Sequence, residues 1–468
     1  MALKLMSPTG HLGFTPIEPG SFEAGLADHP DAIIADSGSA DIGPHPLGAD
    51  EAHSPLEWQR HDLELCLLGA RELGVPLIIG SASDTGTDRG VDSFLRLFEQ
   101  IARARGLAGF TMAAIRSEVA ATALADHLAA GRVLEGLNGR EPATAEVLAR
   151  TDRAVAVMGI EPIRAALEAG ADVVVCGRSC DSAIFAAFAE LRGLPRHTAV
   201  LAGKLLECAS FCAEPFMGKE TVIGEVDADG VTVYPLHPGQ RCTPASLASH
   251  AMYERIDPYA ETIPGGTLDM TALRFDRVDE RRTRVSGAVW RPDDAYRVKI
   301  EGAGKVGERA VAIMGIRDPH SLSRLDDVLG WSRMKLAERY GTAADVGYEV
   351  FFHVYGRDGV MGYLEPNPTV SEHEVGIVVE AVAPTAEVAE EVCALASRNL
   401  FYARLPDTMG TAGGAAFFSD EVFRGRPAYE WTLNHLLTLD EPGEPPDRAA
   451  GLFRRELRTV GAREGVTP

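Results

Sequence analysis

Six consecutive residues, Gly177-Arg178-Ser179-Cys180-Asp181-Ser182, bring together a guanidinium, two hydroxyls, a thiol and a carboxylate. Val173-Val-Val precedes them, a short β-branched run of the kind that forms a fully buried parallel strand. Ala183-Ile-Phe-Ala-Ala-Phe follows, and Asp181 or Ser182 caps the helix it predicts. A polar turn between the carboxyl end of a parallel strand and a helix start is where α/β proteins bind ligands. Helix-start amides there receive an anion, and Arg178 grips a carboxylate or phosphate with two parallel hydrogen bonds.

Three more apolar runs end in unusual polar loops. Ile33-Ile-Ala leads into Asp36-Ser-Gly-Ser-Ala-Asp41-Ile-Gly-Pro, and Leu77-Ile-Ile into Gly80-Ser81-Ala-Ser83-Asp84-Thr85-Gly-Thr-Asp88-Arg-Gly-Val-Asp92. Ala113-Ala-Ile115 leads into Arg116-Ser-Glu118. In a parallel sheet all four loops emerge on one edge and converge without being neighbours in sequence. The Gly-, Ser- and Thr-rich loop from Gly80 turns backbone N–H groups toward a phosphate or carboxylate. It is neither a P-loop, since no Gly-Lys-Ser/Thr follows, nor a G-x-G-x-x-G dinucleotide loop. Gly, Ser and Asp also dominate ordinary turns, which is the plainer account of any one loop.

Asp36, Asp41, Asp84 and Asp88 offer oxygen ligands to a hard divalent ion. No recognised ligand spacing supports a metal, and capping or Asx-turn formation is the commoner fate of loop Asp. Cys176 with Cys180, and Cys208 with Cys212, are spaced by four, which fits neither a zinc ribbon nor an iron–sulfur motif. Lys204 and Glu207, three apart in a predicted helix, read as a surface pair. Arg241-Cys-Thr243-Pro opens a helix carrying His250 and Glu254 on one face, without the second His that a zincin needs. His250 titrates near neutrality if unperturbed, but a lone His is more often a structural hydrogen-bonder. No Gly-x-Ser-x-Gly elbow or Cys/His nucleophile signature is present.

The elements that must hold these loops follow from the hydrophobic pattern. Strands at Asp31–Asp36, Val75–Gly80, Phe110–Ile115, Val155–Gly159 and Val173–Cys176 alternate with helices at 56–73, 91–105, 122–130 and 160–169. That alternation predicts βαβ units and a parallel sheet flanked by helices, over residues 1–218. Residues 219–320 read as a β-rich segment, beginning with a hairpin at Val222–Tyr234 that turns at Asp229-Gly230. Residues 321–440 read as a two-layer α+β domain, and 441–468 as a loosely packed, Pro- and charge-rich tail.

The chain's 468 residues exceed one core, so several domains are expected. Its 45 basic and 68 acidic residues, a formal charge of −23, argue against nucleic acid or anionic membrane as a partner. No apolar run is long enough to span a bilayer, and the first residues lack the apolar core of a secretory signal. Seven Cys in so long a chain make no disulfide framework, and a cytoplasmic location is the expectation.

The stretches Asp36-Ser-Gly-Ser-Ala-Asp-Ile-Gly-Pro, 63–82, 170–185, Lys204-Leu-Leu-Glu-Cys, Arg241-Cys-Thr-Pro, 354–362 and 374–380 resemble, in order, the acyclic terpene utilisation (AtuA-type) family. The resemblance spans about Asp31 to Leu437. It implies a place in the breakdown of terpenoid or branched acyl compounds, often as acyl-CoA thioesters, and a setting shared with small branched dicarboxylic acids. It also implies a second small domain, which this chain is too short to hold, so a separate partner protein is expected. Homo-oligomerisation is expected as well. Cys176 and Cys180 stand where Ser or Ala is usual, which argues against a catalytic Cys180.

The function these features favour is a lyase, a hydratase or dehydratase on a small carboxylic acid or its CoA thioester. Such chemistry needs an acid, a base and donors for a developing enolate. Asp36, Asp41 or Glu118 is the candidate base and His250 the candidate acid. Ser81, Ser83, Asp84, Thr85, Arg178, Ser179, Asp181, Arg241 and Thr243 are the candidate binding residues. A non-catalytic ligand-binding subunit working with the small partner is the second reading. A hydrolase ranks third for want of a nucleophile motif.

Overall fold

The computed structural model describes residues 2–341, 347–367, 369, 373–406, 414–418, 421–439 and 452–461. Five parallel strands form the centre: β1 (Leu3–Ser7), β2 (Ala32–Gly38), β3 (Leu77–Asp84), β4 (Phe110–Arg116) and β5 (Val173–Cys176), in the order β1-β2-β3-β5-β4. Alternate side chains point to opposite faces. Ile34, Ile78, Ala113 and Val174 enter one buried cluster, while Ile33, Ile79, Ala114 and Val175 enter another. Both faces are therefore covered, which explains why these strands are apolar throughout.

Helices α1 (Leu56–Leu73) and α2 (Asp88–Arg105) contribute to the second cluster. Helix α1 stops at Gly74, whose φ of +67° suits glycine, and α2 starts where the Thr87 hydroxyl accepts from Gly90 N–H. Helices α3 (Asp181–Leu191) and α4 (Arg196–Leu206) fill the first cluster with Ile184, Phe185, Val200 and Leu205. A Cβ on Gly203 would lie 2.1 Å from the Ser182 carbonyl oxygen, so glycine there lets α4 close on α3.

The sheet is larger than the sequence pattern implies. Leu3–Ser7 is a strand although it is short and interrupted by Lys4, so the series begins before Asp31. Val222–Val226 pairs antiparallel with β1, and Gly230–Pro235, Thr283–Ser286 and Arg274–Arg277 continue outward. Val222, Val226, Val231, Val233 and Val285 share a core cluster with Ile34 and Ile78, so the β-rich stretch extends the first core rather than building its own. Val155 lies in a strand, Arg153–Ala156, but that strand runs antiparallel to Ile300–Ala303 and is outside the parallel sheet. The expected loose tail is also revised: Arg454–Val460 pairs with β4 along its length. Residues 440–451 and 462–468 lie outside the described residues.

The chain divides into two units, Met1–Gly304 with Trp431–Pro468, and Lys305–Glu430. The second has antiparallel strands, Glu349–Tyr355 against Val375–Ala383 and the latter against residues 308–316. Its core joins Ile377 and Val379 to Val328, Leu336, Val392 and Ala396 from the helices Leu325–Tyr340 and Ala386–Tyr402. This is the mixed α/β architecture that the alternation of elements predicts. Among the described residues no helix is long and apolar enough to cross a membrane.

Candidate active site

A cavity of about 1300 Å³ opens at the carboxyl ends of the parallel strands, and every residue lining it belongs to the first unit. The tip of β2 supplies Asp36, the β5–α3 loop supplies Arg178 to Ser182, and the end of α4 supplies Lys204, Glu207 and Cys208. Helix α5 (Pro244–Met252) and the residues after it add His250, Tyr253, Glu254 and Arg255.

Lys204 and Glu207 are only 3% and 6% exposed, which removes them from the surface where an i, i+3 pair usually sits. Lys204 Nζ donates to Glu207 Oε1 at 2.6 Å and lies 4.5 Å from the centroid of the Tyr253 ring. Burial pushes Glu207 up to about 7, against the pull of Lys204 and with a further push from Asp181. A glutamate so tuned accepts and returns protons near neutral pH.

Asp36 is fully enclosed. Its Oδ2 accepts from Gly38 N–H at 2.8 Å, and its Oδ1 has no well-aligned partner among the described residues. A Cβ on Gly80 would sit 2.5 Å from that Oδ1, so the neighbouring strand leaves it just enough room. Burial and the nearby Asp181 carboxylate hold Asp36 well above the usual carboxylate range, although Arg178, Gly38 and Ser81 pull it back. Asp181, in the first turn of α3, is likewise raised by burial, opposed by Arg178 and reinforced by Glu261 and Glu301.

Arg178 is anchored rather than free. Its Nε donates to Glu301 Oε2 at 2.8 Å, Nη2 to Glu301 Oε1 at 3.4 Å, and Nη1 to Ser81 Oγ at 3.2 Å. Lys299 Nζ also donates to Glu301, at 2.7 Å. Burial alone would raise Glu301, but these two cations hold it down at about 2. The fork geometry keeps the guanidinium rigid and charged at the cavity wall.

Asp84 anchors another part of the wall. Its carboxylate accepts from His53 N–H at 2.9 Å, Ser54 N–H at 3.0 Å, Gln59 Nε2 at 3.1 Å and the Ser54 hydroxyl, and it bonds His11 Nε2 at 3.2 Å. Burial works against its ionisation, but the bonds to His11 and Ser54 leave its pKa lowered. Ser81, Ser83 and Asp84 all have positive φ, +46°, +55° and +73°, which turns the loop back on itself. His11 and His53 line the cavity and each stacks with Phe14, with centroids 5.0 and 6.1 Å from its ring.

The model of a protein family described as "Acyclic terpene utilisation family protein AtuA" matches residues 29–429. The chain belongs to this family. The family is one of acyclic terpene utilisation, and the AtuA match takes in β2 to β5 of the central sheet and nearly all of Lys305–Glu430, but not β1. No curated protein and no solved structure matches this AtuA-family chain.

Of the residues singled out in the AtuA-family sequence, Asp36, Arg178, Ser179 and Asp181 meet in the cavity, with Asp41 and His250 also lining it. Burial, then Lys204 and Arg255, depress His250 to about 3 against a bond to the Lys204 backbone, which keeps the imidazole neutral and disfavours the expected acid role. Glu118 is not at the cavity but pairs with Arg153 and accepts from Asp88 N–H at 3.1 Å. Ser81, Ser83, Asp84 and Thr85 do not line the cavity either. Their loop is consumed internally: Ser81 N–H donates to Ser179 Oγ at 3.1 Å, and Thr85 N–H to Ser83 O at 2.9 Å. Arg241 pairs with Glu214 at 3.1 Å, and Thr243 caps α5 reciprocally with Ser246.

Among the described residues no group of three or more His, Cys, Asp and Glu side chains has the geometry to hold a metal ion. Burial pushes the Cys180 thiol up to about 12, so it is not a ready thiolate. Glu301 and His11 are among the cavity residues that sequence reasoning passed over, and Lys204 and Glu207, read as a surface pair, line it too. For Glu207 a signal existed in the apolar surroundings of 199–206, a helix too apolar to expose a full polar face.

Proposed function

We propose that the cavity adds or removes water across the carbon next to the carbonyl of a small branched carboxylic acid or its CoA thioester, as a lyase within acyclic terpene utilisation. The observation that carries this reading is a pair of buried carboxyls, Asp36 and Glu207, lining one cavity with both pKa values raised and Glu207 near neutrality. Acid–base assignments follow where titratable groups are tuned in this way.

In the dehydration direction, ionised Glu207 takes the proton from the α-carbon. The C–H electron pair passes into an enolate on the acyl oxygen. Its return forms the carbon–carbon double bond and expels the β-hydroxyl, which leaves as water with the proton of neutral Asp36. Hydration runs the same steps backwards. Lys204 and Arg178 supply positive charge at the wall as the enolate develops, and Glu301 fixes Arg178 for that task.

The test is incubation of the purified protein in D2O with branched 3-hydroxy acids and their CoA thioesters. NMR follows α-proton exchange and loss of water. Glu207→Gln should lower both by about 10²–10⁴-fold, the usual weight of a general base. Binding of these compounds with neither exchange nor dehydration would sink the reading. It would favour instead a binding subunit that acts with a separate small protein.

A further inference from the structure

Six cations line the cavity, and five are tied to carboxylates. Arg178 and Lys299 share Glu301, Lys204 holds Glu207, Arg255 holds Glu261, and Arg297 lies 4.0 Å from Asp293. Lys219 alone has no carboxylate within ion-pair distance among the described residues. Its Nζ stands 5.9 Å from the Phe14 ring centroid. Asp62, whose charge reaches Lys219, is already engaged. Its Oδ2 accepts from Gly13 N–H at 2.8 Å, and its Oδ1 bonds Ile17 N–H and His61 Nδ1, each at 2.9 Å.

The wall around Lys219 also differs from the rest of the cavity. Phe14 stacks with both His11 and His53, and Cys208 Sγ meets the Gly10 carbonyl at 3.9 Å. These five residues line the cavity and none is a carboxylate, though Asp84 behind them bonds His11 and the His53 amide. Elsewhere the polar wall neutralises itself, so an anion arriving there must compete with a built-in acid. Beside Lys219 it meets a half-buried ammonium and flat rings. An ammonium withdrawn from water with no carboxylate within ion-pair distance is costly, and a ligand anion removes that cost. Burial does depress Lys219's pKa, as expected for such a group.

We infer that Lys219, beside the His11–Phe14–His53 wall, holds a second anionic group of the substrate, a carboxylate or a phosphate remote from the reacting carbon. This rests on the acid–base reading above and adds to it a charge that the substrate must carry. Lys219 acts as a point charge, so it accepts either anion without demanding a planar fork.

Calorimetric titration of the full chain tests it with three probes: butyrate, succinate and inorganic phosphate. Lys219→Gln should weaken succinate or phosphate at least about tenfold, equivalent to about 1.4 kcal/mol, and leave butyrate within about twofold. Lys219→Arg should restore most of the affinity. Dependence for phosphate alone assigns a phosphate-bearing ligand, and for succinate alone a second carboxylate. Equal affinities in wild type and Lys219→Gln, or no binding of either probe by the wild type, overturn the inference. Circular dichroism checks folding, and Lys219→Met is the second truncation should the Gln variant misfold. Because binding is read without turnover, Glu207→Gln can fail in the exchange assay while this result stands, and the converse.

Discussion

Replacing Glu207 with Gln removes a cavity carboxyl that ionises near neutrality, and its effect on stability can be worked through. Burial, resisted by Lys204 and aided by Asp181, lifts this group from an ordinary 4.5 to about 7. Between those values the folded chain keeps a proton that the unfolded chain has released. The stability associated with that proton is whole below about pH 4.5 and lost as pH rises through about 7. Each pKa step of one is worth about 1.36 kcal/mol, so the loss is about 3 kcal/mol. Gln does not ionise, so the variant lacks this slope, whatever constant amount it loses by altering Lys204's partner. Carboxyl-carbon NMR of glutamate-labelled protein should show one resonance, absent from Glu207→Gln, with a midpoint near pH 7. Lys204→Met should move that midpoint higher, since the cation that opposes the rise is gone. Urea unfolding at pH 4 to 8 should show the wild type losing stability relative to the variant by about 3 kcal/mol. A resonance titrating below pH 5, or parallel stability curves, would refute the electrostatic account of the cavity.

Glu301→Gln should destabilise the protein by about 3–5 kcal/mol in denaturant unfolding, because it strands the buried Arg178 guanidinium. A change under about 1 kcal/mol would show that water reaches Arg178 freely. Asp84→Asn should cost at least about 3 kcal/mol and speed proteolysis near residues 53–59, since it takes a charged acceptor from two backbone amides, Ser54, Gln59 and His11. His250 is held neutral by burial, at about 3 instead of 6.5, so the unfolded chain takes up its proton first as pH falls. Stability from this site is therefore present above about pH 6.5 and lost toward pH 3, by up to about 5 kcal/mol. His250→Leu should flatten that part of the thermal-melting profile, and an unchanged acid limb would count against it.

The strand tips were readable because parallel strands obey a local rule: an apolar β-branched run, then polar punctuation. Asp36, Arg178, Ser179 and Asp181 followed from that rule and do meet in the cavity. The strand at 153–156 obeys the same local pattern yet pairs with Ile300–Ala303, and nothing in its own residues names its neighbour. Glu301 was invisible for a related reason: it reaches Arg178 across 123 positions with no signal near either. Lys204 and Glu207 carried a signal that pointed the wrong way. Their spacing is that of a solvated pair, and the packing of α4 against α3, close at Gly203 and Ser182, is what the spacing does not record. The loop from Gly80 was misread because Gly and Ser serve an inward turn as well as an anion cradle, and the positive φ values that decide between them are not written in composition.

The strand Arg454–Val460, laid along β4, gives the first unit a timetable as well as an edge. Chains are made from the amino end, so Phe110–Arg116 emerges long before its neighbour exists. Until residue 460 has been added, the apolar strand Phe110–Arg116 is the rim of the central sheet and presents unpaired amides and carbonyls. Afterwards the rim is the charged strand Arg454–Val460. Meanwhile Lys305–Glu430, with a separate core, has already been synthesised. The later-encoded unit is thus free to mature before the earlier one has its outermost strand. A ribosome halted short of residue 454 leaves behind a nascent chain with an exposed β-rim, the form most inclined to pair with a stranger.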